Sequence, residues 1–380
     1  MTKDLNTIFP MKDNVLVTLA DSNYIDQAKQ LFSSVYWNSG WDGDYLLLSH
    51  NIPEDKLVWF RDKGIYIYEC HPLGKGSVGN YSYHPSTVLS KFYLFDFYFK
   101  KWKKVVFLDA DIIVRSSLEG LKDLDGFFAR QDIHDFALDQ QINYNYKSID
   151  PSRFKVLMGQ LQMNYNLESP AFNSGVMVIN TNLIKADSLK EIQKLGNEYI
   201  KMSNAGEQLI MNLFMYGVWQ KLQRGFNCYI PDTKQSNFFL KTSVITPVLH
   251  FIGPYKVWQT KNPFLSIWKS NLARANDINL ANTPIVGVKI SQEDICKSEE
   301  MILIRDRFLT EHMFSEPTFA RQLDEYYALG MMKEFRHLFI WAIRKGYSRG
   351  YIRHAPYFFV SYIPPKLKTR IKNILFRMNP

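Results

Sequence analysis

The sequence predicts an α/β fold, a largely parallel sheet with helices on both faces, and three observations lead there. Short apolar, β-branched runs alternate with helix-length segments through the first hundred residues. One run, Lys104–Leu108 (KVVFL), is apolar without alternation, the mark of a strand buried on both sides. The composition, 46% hydrophobic and 22% charged over 380 residues, suits a large domain with a real core plus an appendage.

Each element follows in order. Val15–Leu19 (VLVTL) reads as the first strand and about 24–37 as the first helix. Tyr45–Ser49 reads as a strand, Pro53–Lys63 as a helix opened by its proline, and Ile65–Tyr68 as a third strand. A glycine-rich loop, 71–85, precedes an aromatic-rich helix over Thr87–Phe99. Beyond Lys104–Leu108, Phe172–Asn180 (FNSGVMVIN) is a strand with a turn-prone start. Asp187 or Ser188 caps a helix to about Met202, Glu207–Val218 is a further helix, and Val248–Phe251 is a short strand that ends at Gly253-Pro254. The alternation stops near residue 262. That break predicts a first domain over 1–262, a helical region over 263–330 and a basic aromatic tail over 331–380.

Cys70, Cys228 and Cys296 lie far apart, which argues against a zinc site or a disulfide framework and for a reducing compartment. No apolar run of about 18 residues predicts a spanning helix, and the N-terminal stretch lacks a signal-peptide core. The expectation is a cytoplasmic protein. Its net charge of +9 resides in the tail, where 331–380 hold eleven Lys/Arg against Glu334 alone.

The sharpest chemical signal is VVFLDADIIV, 105–114. In extended backbone Asp109 and Asp111 share a face, so both carboxylates can meet one cation at the end of a strand. Oxygen ligands suit Mg²⁺ or Mn²⁺, and the carboxyl end of a strand is where open α/β sheets bind ligands. Taken alone, the two acids fit a turn as well. A second signal is LHFIGPYKVWQ, 249–259, where Lys256 follows His250 by six residues. An imidazole nitrogen tilts the choice toward manganese, and a lysine offers a point charge to phosphate. Singly, such a histidine also reads as a core residue and such a lysine as a surface one.

Together the DxD strand, FNSG and HFxGxxK resemble glycosyltransferase family 8, the retaining enzymes that include glycogenin and bacterial lipooligosaccharide galactosyltransferases, over roughly 13–260. The resemblance implies a GT-A fold, Rossmann-like, that binds a UDP-sugar and Mn²⁺, with Mg²⁺ as the alternative ion. It implies Asp109, Asp111 and His250 as metal ligands, with Ala110 between them and Gly253 after them lining the donor site. Leu19, Ala20, Asp21 and Tyr24 would hold uracil and ribose, and Lys91 and Lys256 would meet donor phosphate or sugar. Asp139, Asn173 and Ser174 would touch the sugar, with Gln208 near the anomeric carbon. Glu207 stands where the family usually has Asp, and Val257 and Gln259 where it tends to have Pro and His. The hexose, glucose or galactose from UDP-glucose or UDP-galactose, stays open on that account.

Breaking a sugar–phosphate bond builds negative charge on the leaving UDP, which the metal and Lys256 would offset. Gln208 is a poor nucleophile, so front-side attack by the acceptor hydroxyl of a saccharide or lipid-linked saccharide fits best. Three rivals carry distinct signals. A haloacid-dehalogenase-type phosphohydrolase favours Thr where Ile113 stands. An inverting glycosyltransferase wants a base, a role open to Glu207. A non-catalytic membrane- or nucleic-acid-binding protein would be driven by the tail alone. Basic residues interleaved with clusters such as HLFIWAI and YFFVSYI suit an anionic membrane surface better than nucleic acid, and equally a packed subdomain with a basic outer face.

Overall fold

A computed structural model of the chain describes residues 11–71, 73, 86–133, 137–144, 149–230, 246–253, 256–259, 261–282, 284–285, 287, 290–309, 323–324, 326–327, 329–344 and 355. Strands form where the β-branched runs lie: β1 (Asn14–Ala20), β2 (Asp44–His50), β3 (Tyr66–Cys70) and β4 (Lys104–Leu108). Helices α1 (Ile25–Asn38) and α2 (Glu54–Asp62) join the first three, with Pro53 capping α2. Then come β5 (Ile112–Val114), α3 (Glu119–Lys122), β6 (Phe127–Gln131), α4 (Pro151–Asn164), β7 (Phe172–Asn180), α5 (Ser188–Tyr199), α6 (Glu207–Phe214), β8 (Trp219–Lys221), β9 (Cys228–Tyr229) and β10 (Val248–His250).

The main sheet runs β3-β2-β1-β4-β7-β6-β8. Strands β1 to β4 are mutually parallel in register, whereas β7 is antiparallel to both β4 and β6, so the sheet is mixed. A smaller sheet, β5-β10-β9, stands beside it. Every residue of β4 is buried, as its unbroken apolar run requires. On one face Leu16, Leu47, Val106 and Val178 share an apolar cluster with Leu31, Phe32, Leu57 and Phe60 of α1 and α2. Phe107 points the other way, and the Lys91 ammonium stands 5.3 Å from its ring centroid.

The aromatic segment before β4 differs from expectation. Instead of one α-helix it forms a 3-10 segment, Ser86–Phe95, then an extended Asp96, then a second one, Phe97–Lys101. In 3-10 geometry residues three apart line up, which puts Leu89, Phe92 and Phe95 on one buried row. Asp96 starts the second segment by accepting from the Tyr98 N–H at 2.7 Å. Helix α6 stops at Phe214, short of the expected Val218, as the chain turns through Gly217. Likewise α5 ends at Tyr199 and continues to Met202 only as 3-10.

The chain divides into two compact units, 1–149 with 154–303, and 150–153 with 304–380. The first therefore runs past the break in the pattern near 262. Its helix Leu265–Ala273 packs on α1, the Tyr36 hydroxyl donates to the Asn279 carbonyl at 3.0 Å, and Trp268 and Ile302 join Leu249 and Phe251 in one apolar cluster. In the second unit the helix Met332–Arg344 buries Phe335, Leu338 and Phe339 and exposes Ile340 and Ile343. The glycine-rich loop beyond His71 and Leu73, Pro254, and the tail beyond Arg344 apart from Ala355 lie outside the described residues. Among the described residues no helix is long and apolar enough to cross a membrane.

Candidate active site

Asp109 follows the last residue of β4, and the chain turns at Ala110 and Asp111 before β5. The turn is pinned on three sides. Thr18 Oγ1 donates to the Leu108 carbonyl at 2.7 Å, the Asp109 N–H donates to Gly175 O at 2.8 Å, and the Phe251 N–H donates to Asp111 O at 3.1 Å. Because β5 and β10 pair with Ile112 opposite His250, the imidazole is carried over the turn. The two carboxylates thus converge through a turn and a neighbouring strand, rather than along one extended run as the i, i+2 spacing suggested. Ligand atoms of Asp109, Asp111 and His250 all lie within 4.8 Å of one another. His250 Nε2 is 3.2 Å from Asp111 Oδ1 and 3.9 Å from Asp109 Oδ2.

Two lysines flank the acids. Lys91, 4% exposed, has its Nζ 2.9 Å from Asp109 Oδ1, 2.8 Å from Glu207 Oε1 and 3.3 Å from Ser174 Oγ. Burial alone would depress its ammonium, but Asp109 and Glu207 reverse that and raise it. Lys256 Nζ sits 2.5 Å from Asp111 Oδ2 and 2.9 Å from the Phe251 carbonyl oxygen. Burial disfavours the charged form of Asp111, yet Lys256 and His250 together more than offset it and hold that carboxyl below the usual range. Asp109 goes the other way, raised by burial that Lys91 only partly counters.

The donor set fits a divalent cation. Among the described residues Asp111 Oδ1 is buried and has no hydrogen-bond partner of good geometry, with the imidazole nitrogen of His250 its near neighbour at 3.2 Å. Two carboxylates with one imidazole are an oxygen-plus-nitrogen set of the kind that holds a divalent cation.

Behind the acids lies a chain of amides. Gly175 N–H donates to Asn173 Oδ1 at 3.0 Å, and Asn173 Nδ2 donates to Gln208 Oε1 at 3.1 Å, which also accepts from the Ser174 N–H at 3.1 Å. Gln208 Nε2 donates to Asp132 Oδ2 at 2.7 Å, and Ser174 Oγ donates to Glu207 Oε1 at 2.9 Å. Gly175 is required by the approach of His250, since a Cβ there would lie 2.2 Å from its Cε1.

Leu19 and Ala20 end β1, in parallel register with Leu48 and Ser49 of β2. Asp21 accepts from Thr87 Oγ1 at 3.0 Å and from the Asn23 N–H at 2.8 Å. Tyr24 packs edge-on against Trp258, and its phenol is raised by burial, opposed by Lys256 and reinforced by Asp111. Gly253 turns the chain after β10 with φ of 74°. Asp139 stands in a 3-10 turn, Leu138–Gln141, its backbone tied to Leu167 rather than to the acids, and burial pushes its carboxyl up to about 7.

Sequence reasoning missed Asp132, the acid that holds Gln208, and Asn227, which touches His250. The position of Asp132 just past the carboxyl end of β6 was the available signal. Asn227 carried none, because only the fold brings β9 beside β10.

A mixed sheet with an Asp-Ala-Asp turn at the end of its central parallel strand, facing a histidine and two lysines, is the architecture of the GT-A fold class. The chain belongs to glycosyl transferase family 8, whose family model matches residues 15–262. It is 26% identical over 207 residues to a lipopolysaccharide 1,3-galactosyltransferase of Salmonella typhimurium, covering 52% of this chain and 56% of that one. A lipopolysaccharide 1,2-glucosyltransferase of Escherichia coli is 25% identical over 203 residues, covering 51% and 55%. The chain thus spans about half the length of the curated relatives it matches. The fold is similar to that of the galactosyltransferase LgtC solved with donor and acceptor sugar analogues, with TM-score 0.52, 18% identity, and coverage of 73% of this chain and 98% of that one.

Proposed function

We propose that the protein transfers a hexose, glucose or galactose, from its UDP-sugar to a hydroxyl of a saccharide acceptor, with retention of the anomeric configuration and dependence on Mn²⁺. The observation that carries this is the convergence of Asp109, Asp111 and His250 beside Lys91 and Lys256. Similarity to lipopolysaccharide galactosyl- and glucosyltransferases supports the hexose and a glycan or lipid-linked acceptor.

A divalent cation held by Asp109, Asp111 and His250 would supply positive charge where the leaving diphosphate becomes negative. Lys256, on the same side of Asp111, adds a second charge for the diphosphate. Lys91 reaches across to Glu207, so the two set the wall against which the hexose would rest. Gln208 has its amide oxygen taken by two donors and its nitrogen by Asp132, which makes it a positioning group rather than a nucleophile. That favours front-side attack by the acceptor hydroxyl, its proton passing to the departing phosphate oxygen. Glu207, 4% exposed and paired with Lys91 and Ser174, is poorly placed to serve as the base of an inverting mechanism.

The tail supports docking on an anionic membrane surface, where lipid-linked acceptors reside. Residues 345–380 carry eight Lys/Arg and no acid among aromatic and aliphatic clusters. The test of the whole reading is a panel of nucleotide sugars incubated with protein and Mn²⁺. UDP-galactose or UDP-glucose should be the donor consumed, with an α-linked product by NMR. A β-linked product, or consumption of no UDP-sugar, overturns it.

A further inference from the structure

Asn227 lies one residue before β9 and meets the face of the metal-binding histidine that points away from the carboxylates. Its Oδ1 is 2.8 Å from His250 Nδ1, and its Nδ2 donates to Asn173 Oδ1 at 3.1 Å. Side-chain amides can point either way, so the direction of each bond must be fixed by a group with only one role. Two backbone N–H groups provide that. The Gly175 N–H makes the Asn173 atom facing it an oxygen, and the Ser174 N–H does the same for Gln208. With Asn173 Oδ1 an acceptor, the Asn227 atom facing it is the NH₂ group, and the atom facing His250 is therefore the carbonyl oxygen. A carbonyl accepts only, so Nδ1 of His250 carries a hydrogen, and a ring that holds one hydrogen then presents the Nε2 lone pair to Asp109 and Asp111.

This orientation has a consequence for Asp111, whose Oδ1 lies 3.2 Å from Nε2. Two lone pairs facing each other at that distance call for a cation between their owners. Asn227 itself has little freedom: it is fully buried, and the Arg130 guanidinium, lying over the Tyr229 ring with 3.9 Å to its centroid, donates to its backbone carbonyl.

We infer that Asn227 is a positioning residue that locks His250 in the Nδ1–H tautomer, through an amide chain fixed by the Ser174 and Gly175 backbone, so that Nε2 stands ready as a metal ligand. The metal part rests on the reading proposed above; the tautomer does not. Partners of this kind that hold a ligating histidine typically contribute about 10–100-fold to metal affinity.

The test has a metal-free arm and a metal arm. Long-range ¹H–¹⁵N spectra of the histidine-labelled full chain, recorded at alkaline pH where the ring holds one proton, report the tautomer of His250, assigned among the eight histidines with His250→Gln. Wild type should show Nδ1–H. Asn227→Leu should lose that preference and bind Mn²⁺ about 10–100-fold more weakly by EPR titration, while Asn227→Asp, which keeps an acceptor, restores the tautomer and most of the affinity. A wild-type His250 with its hydrogen on Nε2 overturns the inference, as does an Asn227→Leu variant with unchanged tautomer and affinity. A wild type that binds no Mn²⁺ sinks the metal reading, and the tautomer spectrum then decides this inference alone. Should Asn227→Leu fail to fold, the wild-type spectrum still decides it.

Discussion

Replacing Lys91 with methionine keeps the length and the packing over Phe107 but removes the positive charge that pairs with both Asp109 and Glu207. Glu207 is 4% exposed and held by Lys91 at 2.8 Å and Ser174 at 2.9 Å, so it would be left buried with one hydroxyl for company. Breaking a buried pair in this way costs about 3–5 kcal/mol, whereas replacing both members is often neutral. At an unfolding entropy of about 2.1 cal/mol/K per residue, a unit of roughly 300 residues shifts by about 1.6 °C per kcal/mol, so Lys91→Met should melt about 5–8 °C lower at neutral pH. The double variant Lys91→Met/Glu207→Gln should recover most of that loss, although neither variant should transfer sugar well. The Lys91 ammonium is raised in the fold, so its contribution is complete below its unfolded value near 10.4 and is lost only as pH climbs above it. Calorimetry on the two variants is the assay. Equal melting temperatures for Lys91→Met and wild type, or a double variant no more stable than the single one, would refute the reasoning.

Three further outcomes follow from other contacts. Gly175→Ala puts a Cβ 2.2 Å from His250 Cε1, and an ordinary contact begins near 3.4 Å, so the ring must shift by over an ångström; displacement of that size costs about 100-fold in rate, read as a fall in UDP-sugar turnover together with weaker Mn²⁺ binding. Asp139 is raised to about 7 by burial, so the folded protein keeps a proton that the unfolded chain releases near pH 4. Stability should decline from about pH 4 to about 7 and level off above, at up to ~1.4 kcal/mol per unit, and Asp139→Asn should remove that slope in denaturant melts; parallel profiles for the two proteins would contradict it. Removing residues 346–380 spares the helix Met332–Arg344 with its buried Phe335 and Phe339, and should release the protein from anionic vesicles at low salt without loss of UDP-sugar hydrolysis. Equal co-sedimentation of the two chains would return the tail to a packed subdomain.

The succession of strands and helices through residue 108 was legible because β1, β2 and β4 are largely apolar runs buried on both faces, the least ambiguous signal a strand gives. The segment Ser86–Phe95 was not, since an aromatic row at spacing three and one at three-to-four look alike until packing chooses between them. Within the site, Asp109, Asp111, His250 and Lys256 were legible from motif spacing, and the structure brings all four together. What joins them was not: the antiparallel pairing of β5 with β10 and the amide chain through Asn173, Gln208 and Asn227 exist only between elements distant in sequence. The pairing of Lys91 with Glu207 was hidden for the same reason, 116 residues separating its members.

The central claim is that Asp109, Asp111 and His250 hold one divalent cation on which donor chemistry depends. Its most direct test is the rate of UDP release from the consumed UDP-hexose by metal-stripped protein as Mn²⁺ is added back. The account predicts negligible release in chelator, recovery that saturates at one bound ion per chain, and no recovery in Asp111→Asn. Full release in the presence of chelator, or recovery by Asp111→Asn equal to wild type, would contradict it.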